Sequence, residues 1–600
     1  MGLYNKLPSN VSEVDVIIAG GGAAGCIVAS RLAQADPNLV VLLVESGPNN
    51  DIESVNIPAL YVSNLVPTSG LFHWYQSQAE QDLGGRELIV PAGRVLGGGS
   101  SVNVMIYSRA QRSDMDLWNK TGWTANEMLP FMRQLETYSG AGAKAVHGTR
   151  GPIQVSRGTY HVTRFEDDYI SAAKSLGWSE TNDLQDLDSI NAVERGFHYI
   201  NPQGRRSDVA SAYIHPLLQE GRHPNLHVLV ETQVLRVLFD ENKTATGIEY
   251  RGSPDLQPNE QSTLKVRARK MVVVSCGGIG TPALLERSGV GKPEVLERAG
   301  VQVIANVSGV GHEYNDHAGY GYPYRSSLAP NETLDGLLSG RLDVRELIRS
   351  NDPILGWNAV DIAAKVRPTE DEVAALGPEF GEAWNRDFKD NPDRPLTLLT
   401  GINGFPLDPS LVPPGQYFSV GEFAPYPYSR GYVHITGPSV DDPLDFKTGY
   451  LSDPLDMKMH VWAYKKQREI ARRMEVYRGE VALAHPPFSA CSKAALIETN
   501  APLSKDVQDI EYTSEDDDVI ETWLRSNIDT MWHSQGTCKI GPLDEHGVVD
   551  SSLSVYGVAN LRLADLSILP GNIGANTNNM ALTVGERAAD IFIHALGLIG

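Results

Sequence analysis

The apolar residues near the N-terminus follow three successive patterns. Residues 14–19 form a short and almost wholly apolar run rich in β-branched side chains, which is typical of a buried strand. Residues 26–35 place apolar side chains at helical spacing, and residues 39–44 form a second apolar run. The order strand, turn, helix and strand predicts two parallel strands that are joined by a helix.

Two later runs, residues 270–275 and 560–565, have the same strand-like composition and could join this sheet. Between them, residues 326–530 are rich in Pro and Tyr and contain alternating segments such as 417–423. This alternation predicts an antiparallel sheet covered by helices. Residues 581–598 carry apolar side chains at helical spacing, which predicts a last helix docked on the first sheet.

These patterns predict an α/β protein, α+β overall, with two domains. A chain of 600 residues is too long for one compact core. We expect a discontinuous first domain around the parallel strands, with a second domain inserted into it. The predicted first domain comprises residues 1–155, 225–325 and 540–600, and the second comprises residues 156–224 and 326–539.

A glycine-rich turn directly follows the first predicted strand. Residues 20–25 read Gly-Gly-Gly-Ala-Ala-Gly, and Glu45 ends the second apolar run 20 residues after Gly25. Such a turn lets the backbone approach a pyrophosphate, which the N-terminus of the next helix favours, and the carboxylate accepts hydrogen bonds from ribose hydroxyls. This context predicts a Rossmann-like dinucleotide site, although the motif alone does not separate NAD from FAD. The residues expected at the nucleotide are Gly20, Gly22, Ala23, Ala24, Gly25 and Glu45.

The charge balance narrows the range of partners. The formal net charge is −23, which argues against binding to nucleic acid or to an anionic membrane surface. The four cysteines lack the paired spacing of a zinc site or a disulfide framework. His312 and His317 flank Asp316 without a further ligand cluster, so we expect structural roles for them and no bound metal.

Localisation signals are absent from the ends of the sequence as given. The N-terminal residues lack the apolar stretch of a signal peptide, and the last three residues, 598–600, do not form the usual peroxisomal tripeptide. No apolar run reaches the length of a membrane span. We therefore expect an intracellular protein, cytoplasmic or peroxisomal.

A second glycine-rich stretch, residues 93–103, reads Gly-Arg-Val-Leu-Gly-Gly-Gly-Ser-Ser-Val-Asn and resembles the first signature of the glucose–methanol–choline (GMC) oxidoreductases. Residues 277–291 approximate the second signature of this family. Gly278 departs from the small non-glycine residue expected there, which we interpret as a minor loss of packing. The segments 205–208, 530–534 and 574–577 are similar to those of the fungal alcohol (methanol) oxidases of the family.

The resemblance implies a Rossmann-like FAD-binding domain and a substrate domain built on the antiparallel sheet. In the second loop, small residues would let backbone N–H groups approach the flat isoalloxazine ring. Some family members attach FAD through a histidine at the position of Asn103, so asparagine here predicts a non-covalent flavin. The further residues that the resemblance places at the cofactor are Arg94, Gly97, Gly98, Ser100, Asn103, Val234, Asp565 and Thr577.

The resemblance also assigns His533 and Asn576 as the polar pair in front of the flavin. It implies oxidation of a primary alcohol to an aldehyde, with the hydride passing to flavin N5 and the hydroxyl proton to His533. A neutral histidine suits this proton transfer near neutral pH. Asn576 would hold the alcohol oxygen as alkoxide character develops. Dioxygen would then be reduced to hydrogen peroxide.

Val104 and Trp532 are the expected walls of the substrate pocket. Methanol oxidases of the family carry an aromatic residue at the position of Val104, so valine implies a wider pocket and larger primary alcohols than methanol. A neighbouring side chain could fill the gap instead. The segment from Cys491 to Asp509 is short compared with that of the methanol oxidases, which argues against a large oligomer and leaves a monomer or a small homo-oligomer such as a dimer open.

Two other activities remain compatible with the sequence. A dehydrogenase of the same family would pass its electrons to an acceptor other than dioxygen. A hydroxynitrile lyase of the same fold would retain FAD without redox turnover. No motif in the sequence separates the dehydrogenase from the oxidase, whereas the lyase would show no flavin bleaching with any alcohol.

Overall fold

The computed structural model describes residues 2–9, 11–142, 145–504 and 506–598, apart from the side chain of Glu220. Residues 1, 599 and 600, which form the outer limits of the predicted first domain and part of the C-terminal tripeptide, lie outside the described residues. Two large sheets, each with its own apolar core, organise the chain. Within the described ranges, no helix combines the length and the apolarity needed to cross a membrane.

The first sheet is mainly parallel and contains the predicted N-terminal unit. The predicted strands at 14–19, 39–44, 270–275 and 560–565 all lie in it. Its order in the described part of the chain is Leu3–Tyr4, Leu226–Leu229, Val41–Val44, Glu13–Ala19, Leu264–Val274, Ala245–Gly252 and Thr232–Phe239, with Leu561–Leu563 beside Leu264–Val274.

Two helices pack against each other beside this sheet and tie the chain ends together. Ala23–Ala35 follows the first strand, and Asn578–Ala595 lies against it, close enough that a Cβ at Gly585 would stand 3.0 Å from Ala24 Cα. Arg31 donates to both carboxylate oxygens of Glu586, at 2.9 and 2.7 Å. The predicted last helix therefore exists, with limits shifted by a few residues.

The second sheet is mainly antiparallel, as the alternation at 417–423 predicts. The long helix Pro454–Arg473 packs on it together with Thr163–Ser175 and Ser514–Asn527. Its order among the described residues is Tyr477–Glu480, Ala318–Ser326, Tyr417–Phe423, Thr397–Ile402, Val360–Val366, Ala192–Arg195 and Ser179–Glu180, with Asp529–Thr530 beside Ala318–Ser326.

Shorter elements connect the two sheets. The further strand pairs are Phe72–Gln76 with Ile89–Gly93, Glu136–Tyr138 with Ile153–Val155, Val290–Gly291 with Ala305–Asn306, and Tyr432–Ile435 with Leu444–Lys447. The further α-helices are Glu53–Asn56, Gly99–Val102, Arg112–Asp116, Ala125–Leu135, His215–Leu218, Gly277–Arg287, Pro293–Arg298, Asp335–Leu338, Val344–Ser350, Glu370–Ala375 and Pro378–Asp387.

These two sheets confirm the predicted fold class, whereas the exact domain limits stay a prediction. The strand Ala318–Ser326 lies in the second sheet, although the sequence assigns residues 225–325 to the first domain. Its partners are all strands of the second sheet, so we propose that the first domain's segment ends before Ala318. Residues 209–217 pack on the first core, although the sequence assigns residues 156–224 to the second domain.

One strand pairing brings two distant segments together beside the first domain. Ala318 pairs with Thr530 and Gly319 with Asp529 in antiparallel register. Antiparallel pairing places the residues that precede one strand opposite those that follow the other. Consistent with this, Met531 N donates to His317 O at 2.9 Å, and Asn315 bridges to Gln535.

The same segment crosses closely over the start of the helix Gly277–Arg287. A Cβ at Gly278 would stand 2.5 Å from the carbonyl oxygen of Ser534 and 2.6 Å from its carbonyl carbon. Thr537 Oγ1 donates to Gly278 O at 2.6 Å. The interpretation of Gly278 as a minor packing loss is therefore wrong, because in this fold the absence of a side chain is what lets the two backbones meet.

We expect Gly278→Ala to destabilise the protein by about 1–3 kcal/mol, because the added methyl group must displace the Ser534 backbone. Gly381→Ala is a matched control, since Gly381 lies in the helix Pro378–Asp387 with no atom near its missing Cβ. That variant should be neutral or slightly stabilising through helix propensity. Denaturant unfolding of both variants makes the comparison. Equal free energies of unfolding for the two variants would contradict the steric role of Gly278.

Candidate active site

The first glycine-rich turn joins the strand Glu13–Ala19 to its helix through close backbone contacts. Gly20 has φ +106°, and a Cβ there would stand 2.2 Å from Ser275 O. A Cβ at Gly25 would stand 2.1 Å from Gly20 O. At Gly22 the nearest atom to a Cβ is Ser275 O at 3.8 Å, so this side of the turn is open. Ala23 and Ala24 begin the helix.

Glu45 lies immediately after the strand Val41–Val44 with its carboxylate directed at the turn. Gly21 N donates to Oε2 at 2.9 Å, and Gly47 N donates to Oε1 at 2.8 Å. Burial raises the pKa of Glu45, and these two backbone donors oppose that effect. The carboxylate thus stands beside the glycine turn, where the sequence places a ribose acceptor.

The second glycine-rich stretch rests directly on the first. Gly97 N donates to Gly21 O at 2.7 Å. Gly97 and Gly98 both have positive φ, +90° and +53°, and a Cβ at Gly98 would stand 2.7 Å from Gly22 Cα. The two turns, residues 20–25 and 97–100, therefore form one continuous backbone surface, which we call the glycine cradle.

Side chains around the second stretch hold its backbone in place. Ser100 Oγ donates to Gly97 O at 2.7 Å. The Arg94 guanidinium donates two hydrogen bonds of 2.6 Å each to the carboxylate of Asp255. Asn103 Oδ1 accepts from Met105 N at 2.9 Å, which fixes the turn that leads to Val104.

Arg206 is a buried guanidinium behind Asn103. Its Nη1 donates to Asn103 Oδ1 at 2.9 Å, and its Nε donates to Val55 O at 2.8 Å. Burial lowers the pKa of Arg206 to about 10. Nη2 is buried without a partner among the described residues. The motif at 205–208 carried this residue, but the sequence offered no reason to assign it a role.

The remaining predicted cofactor residues lie on separate elements. Asp565 Oδ2 accepts from Gly277 N at 2.9 Å and from Thr281 Oγ1 at 2.5 Å, so it fixes the turn before the helix Gly277–Arg287. Val234 is a partly buried residue of the strand Thr232–Phe239, next to a break in its register. Thr577 directly precedes the helix Asn578–Ala595.

His533 lies just beyond the strand Asp529–Thr530 with only 8% of its surface exposed. Its Nδ1 is 2.8 Å from His317 Nδ1, and its Nε2 is 3.4 Å from Asn576 Nδ2. Burial lowers the pKa of His533 well below its usual value, and the neighbouring His317 lowers it further. His533 is consequently a neutral imidazole with Nε2 beside the amide of Asn576.

The carboxylate of Asp316 organises the segment around His533. Oδ1 accepts from the backbone N–H of His317 at 2.7 Å and of His533 at 2.8 Å. Oδ2 accepts from three hydroxyl groups at 2.5 to 3.0 Å. Burial raises the pKa of Asp316, and the hydrogen bonds to its carboxylate oppose this shift. The three hydroxyl donors belong to Tyr314, Tyr450 and Thr530.

Two predicted pocket residues differ in exposure. Trp532 is 45% exposed and has φ +62°, a conformation that is strained for a bulky residue and that clusters at functional sites. Val104 is partly buried, and its carbonyl accepts from Asn358 Nδ2 at 2.7 Å. The side chain of Trp532 is thus largely accessible to solvent, whereas Val104 packs against the first core.

The sequence did not reveal that His317 contacts His533 in the candidate site. It predicts a structural role for His317 because no ligand cluster surrounds this residue in the sequence, and its partner His533 lies 216 residues away. The fold joins them through the pairing of Ala318 with Thr530. In the described ranges, no group of three or more His, Cys, Asp or Glu side chains is arranged to hold a metal ion.

Comparison with known proteins places these features in a family. GMC oxidoreductase models match residues 14–319 and 427–585. An alcohol oxidase of Candida boidinii is 37% identical, covering 98% of this chain and 96% of that protein. Alcohol oxidase 1 of Komagataella phaffii is 36% identical over the same shares. A formate oxidase structure from Aspergillus oryzae covers 98% of this chain and 100% of that chain, with a TM-score of 0.82 at 22% identity.

At 22% identity, the likeness to the formate oxidase shows the fold alone. The two alcohol oxidase sequences, in contrast, match almost the whole chain. Together with the two family models, they show that this chain belongs to the GMC oxidoreductase family.

Proposed function

We propose that this protein is an FAD-dependent oxidase that converts primary alcohols to aldehydes and reduces dioxygen to hydrogen peroxide. The observation that carries the proposal is the neutral His533, whose Nε2 faces the amide of Asn576 at 3.4 Å. The relatives named alcohol oxidase support the same reaction class. The enzyme is accordingly an oxidoreductase of the alcohol oxidase type.

FAD is the cofactor of this family, and three features of the structure fit it. The open side of Gly22 lies at the start of the helix Ala23–Ala35, where backbone N–H groups and the helix dipole favour a pyrophosphate. Glu45 presents a buried carboxylate beside the turn. Arg206 Nη2 is a buried donor without a partner among the described residues. A polar edge of the flavin ring would supply the acceptor that such a buried donor needs.

The residues that we propose to hold FAD extend along the glycine cradle and its surroundings. The diphosphate would lie against the backbone of the cradle, the adenosine near Glu45 and Val234, and the flavin near Asn103 and Thr577. Bound FAD supplies the acceptor for the hydride that leaves the alcohol carbon. The full set is Gly20, Gly22, Ala23, Ala24, Gly25, Glu45, Arg94, Gly97, Gly98, Ser100, Asn103, Val234, Asp565 and Thr577.

We propose that the flavin is held without a covalent bond. The side chain of Asn103 is an amide without a nucleophile, and its oxygen is already occupied by Met105 N and Arg206 Nη1. Acid precipitation should therefore leave all of the yellow colour in the supernatant. Colour retained in the protein pellet would contradict this assignment.

His533 acts as the general base in this proposal. Its unprotonated Nε2 takes the hydroxyl proton of the alcohol as the hydride leaves carbon, so the products are an aldehyde and a protonated imidazole. Asn576 Nδ2 donates to the alcohol oxygen and stabilises its developing negative charge. Because His533 is buried among uncharged rings, it remains neutral and ready to accept a proton.

The pocket in front of His533 would admit alcohols larger than methanol. Val104 offers less volume than an aromatic side chain, and the side chain of Trp532 is largely accessible to solvent. Because an apolar pocket discriminates by only about 1–3 kcal/mol per methylene group, the preference should be broad. In this proposal, Val104 and Trp532 determine which alcohols fit, whereas His533 and Asn576 carry out the chemistry.

We expect a primary alcohol added without oxygen to bleach the flavin, and readmitted air to restore the colour with release of hydrogen peroxide. His533→Ala should keep the flavin spectrum but reduce it about 10²–10⁴ times more slowly, because the base is lost. His594→Ala is the matched control, since this histidine side chain is 74% exposed on the last helix. Visible spectroscopy in a stopped-flow instrument measures the rates.

The other outcomes of this experiment identify the alternatives. Bleaching without recovery in air would indicate a dehydrogenase that uses another acceptor. A yellow protein that no alcohol bleaches would indicate a non-redox flavoprotein. Normal bleaching by His533→Ala would remove His533 from the role of base.

We expect Val104→Phe to shift the preference towards smaller alcohols, because the larger ring narrows the pocket. The ratio of kcat/KM for a long-chain alcohol to that for methanol should fall by about 10–200-fold. Val66→Phe provides the matched control, since Val66 is 45% exposed. An unchanged ratio in Val104→Phe, or methanol as the best substrate of the native enzyme, would contradict the wider pocket.

A further inference from the structure

The two buried histidines His533 and His317 meet through like atoms. Their Nδ1 atoms are 2.8 Å apart, and their rings are nearly perpendicular at 78°, with centroids separated by 4.8 Å. Two imidazole nitrogens at this distance form a hydrogen bond only when one carries a proton and the other offers a lone pair. The contact therefore couples the tautomers of both rings.

The surroundings of His533 indicate the direction of this hydrogen bond. Its other nitrogen, Nε2, faces Asn576 Nδ2, an amide group that can only donate. Nε2 is then the acceptor of His533, and its single proton lies on Nδ1. The Nδ1–H consequently donates to His317 Nδ1, which supplies the lone pair.

His317 is suited to be a fixed and uncharged acceptor. It has no exposed surface and stacks on Phe423 at a centroid distance of 4.9 Å and an angle of 13°. Burial lowers the pKa of His317 to about 3, so the ring is neutral throughout the ordinary pH range. Its backbone is held at both ends, by Asp316 Oδ1 and by Met531 N.

The second proton of the pair then lies on His317 Nε2. This atom is buried and has no partner of hydrogen-bond geometry among the described residues. The side chain of Asn572 and the backbone of Pro425 and Ile573 oppose the lowering of the His317 pKa by burial but do not outweigh it.

Among the described residues, no carboxylate is hydrogen-bonded to the ring of His533. Asp316 accepts from two backbone N–H groups and three hydroxyl donors, and its oxygens accept from neither imidazole ring. Burial and His317 lower the pKa of His533, and no carboxylate among the described residues contributes to the shift. A carboxylate against Nδ1 would favour the charged imidazole, whereas a neutral ring orients His533 without charging it.

We propose that His317 is a positioning residue that holds the catalytic tautomer of His533. By accepting from Nδ1–H, it keeps the proton off Nε2, the atom that must receive the substrate proton. The effect of His317 on the reaction rate rests on the alcohol oxidation proposed above, whereas the tautomer of His533 does not depend on it.

Two substitutions at His317 separate hydrogen bonding from packing. In His317→Asn, the amide oxygen can take the place of Nδ1 as acceptor, whereas His317→Leu fills the space without any acceptor. Phe423→Leu is the packing control, because Phe423 touches both rings without hydrogen bonding to either. All three are compared as yellow holoenzymes with the native protein.

In the kinetic arm, we expect His317→Leu to reduce its flavin about 10²–10⁴ times more slowly than the native enzyme under oxygen-free alcohol, as happens when a base loses the partner that fixes its tautomer. KM should change by less than about threefold, because binding of the alcohol is untouched. His317→Asn should recover the rate to within about tenfold, and Phe423→Leu should lose no more than that. A native rate in His317→Leu, or equal losses in the Asn and Leu variants, would overturn the proposal.

In the second arm, nitrogen NMR of holoenzyme labelled with ¹⁵N-histidine reads the tautomer without turnover, and His533→Ala assigns the signals. We expect His533 to be protonated on Nδ1 in the native protein and to become a mixture in His317→Leu. A native His533 protonated on Nε2 would overturn the proposal directly. If no alcohol bleaches the native enzyme, the proposed function fails, while this arm still decides the tautomer.

Discussion

The buried carboxylate of Asp316 is the interaction on which the geometry of the candidate site depends. It accepts from the backbone N–H groups of His317 and His533 and from three hydroxyl groups, so it joins its own segment to those that carry His533 and Tyr450. A buried carboxylate is costly unless it is fully hydrogen-bonded, so the surrounding segments are held in the positions that satisfy it. The position of His533 thus depends on backbone contacts, and its ring has no carboxylate partner among the described residues.

A different constraint shapes the cofactor side, where backbone must touch backbone. Gly20, Gly25, Gly98 and Gly278 each lie so close to another main chain that a Cβ would clash. The first three belong to the glycine cradle, and Gly278 lets the start of the helix Gly277–Arg287 meet the segment that carries His533. Because these glycines have no side chains, the main chains around the candidate site can approach one another closely.

The sequence predicted the parts of this protein that local patterns encode. Strand and helix periodicity located both sheets, and the two glycine stretches carried the family resemblance that led to FAD, His533 and Asn576. The pairing of Ala318 with Thr530 could not be predicted from the sequence, because register between distant strands depends on tertiary contacts. For the same reason the His317–His533 contact and the steric role of Gly278 emerged only from the fold. We propose a domain limit before Ala318 for the same reason, because the strand Ala318–Ser326 pairs with distant strands of the second sheet.

The central claim is that His533 is a neutral base whose Nε2 is free at the pH of catalysis. The rate of flavin reduction by a saturating primary alcohol, measured without oxygen across pH, tests it most directly. Because the pKa of His533 is lowered in the folded protein, the unprotonated form persists as the pH falls below 6.5, the ordinary pKa of histidine. We expect a rate that is flat through neutrality and declines only well below pH 6.5. A rate that declines with an apparent pKa at or above 6.5 would contradict it.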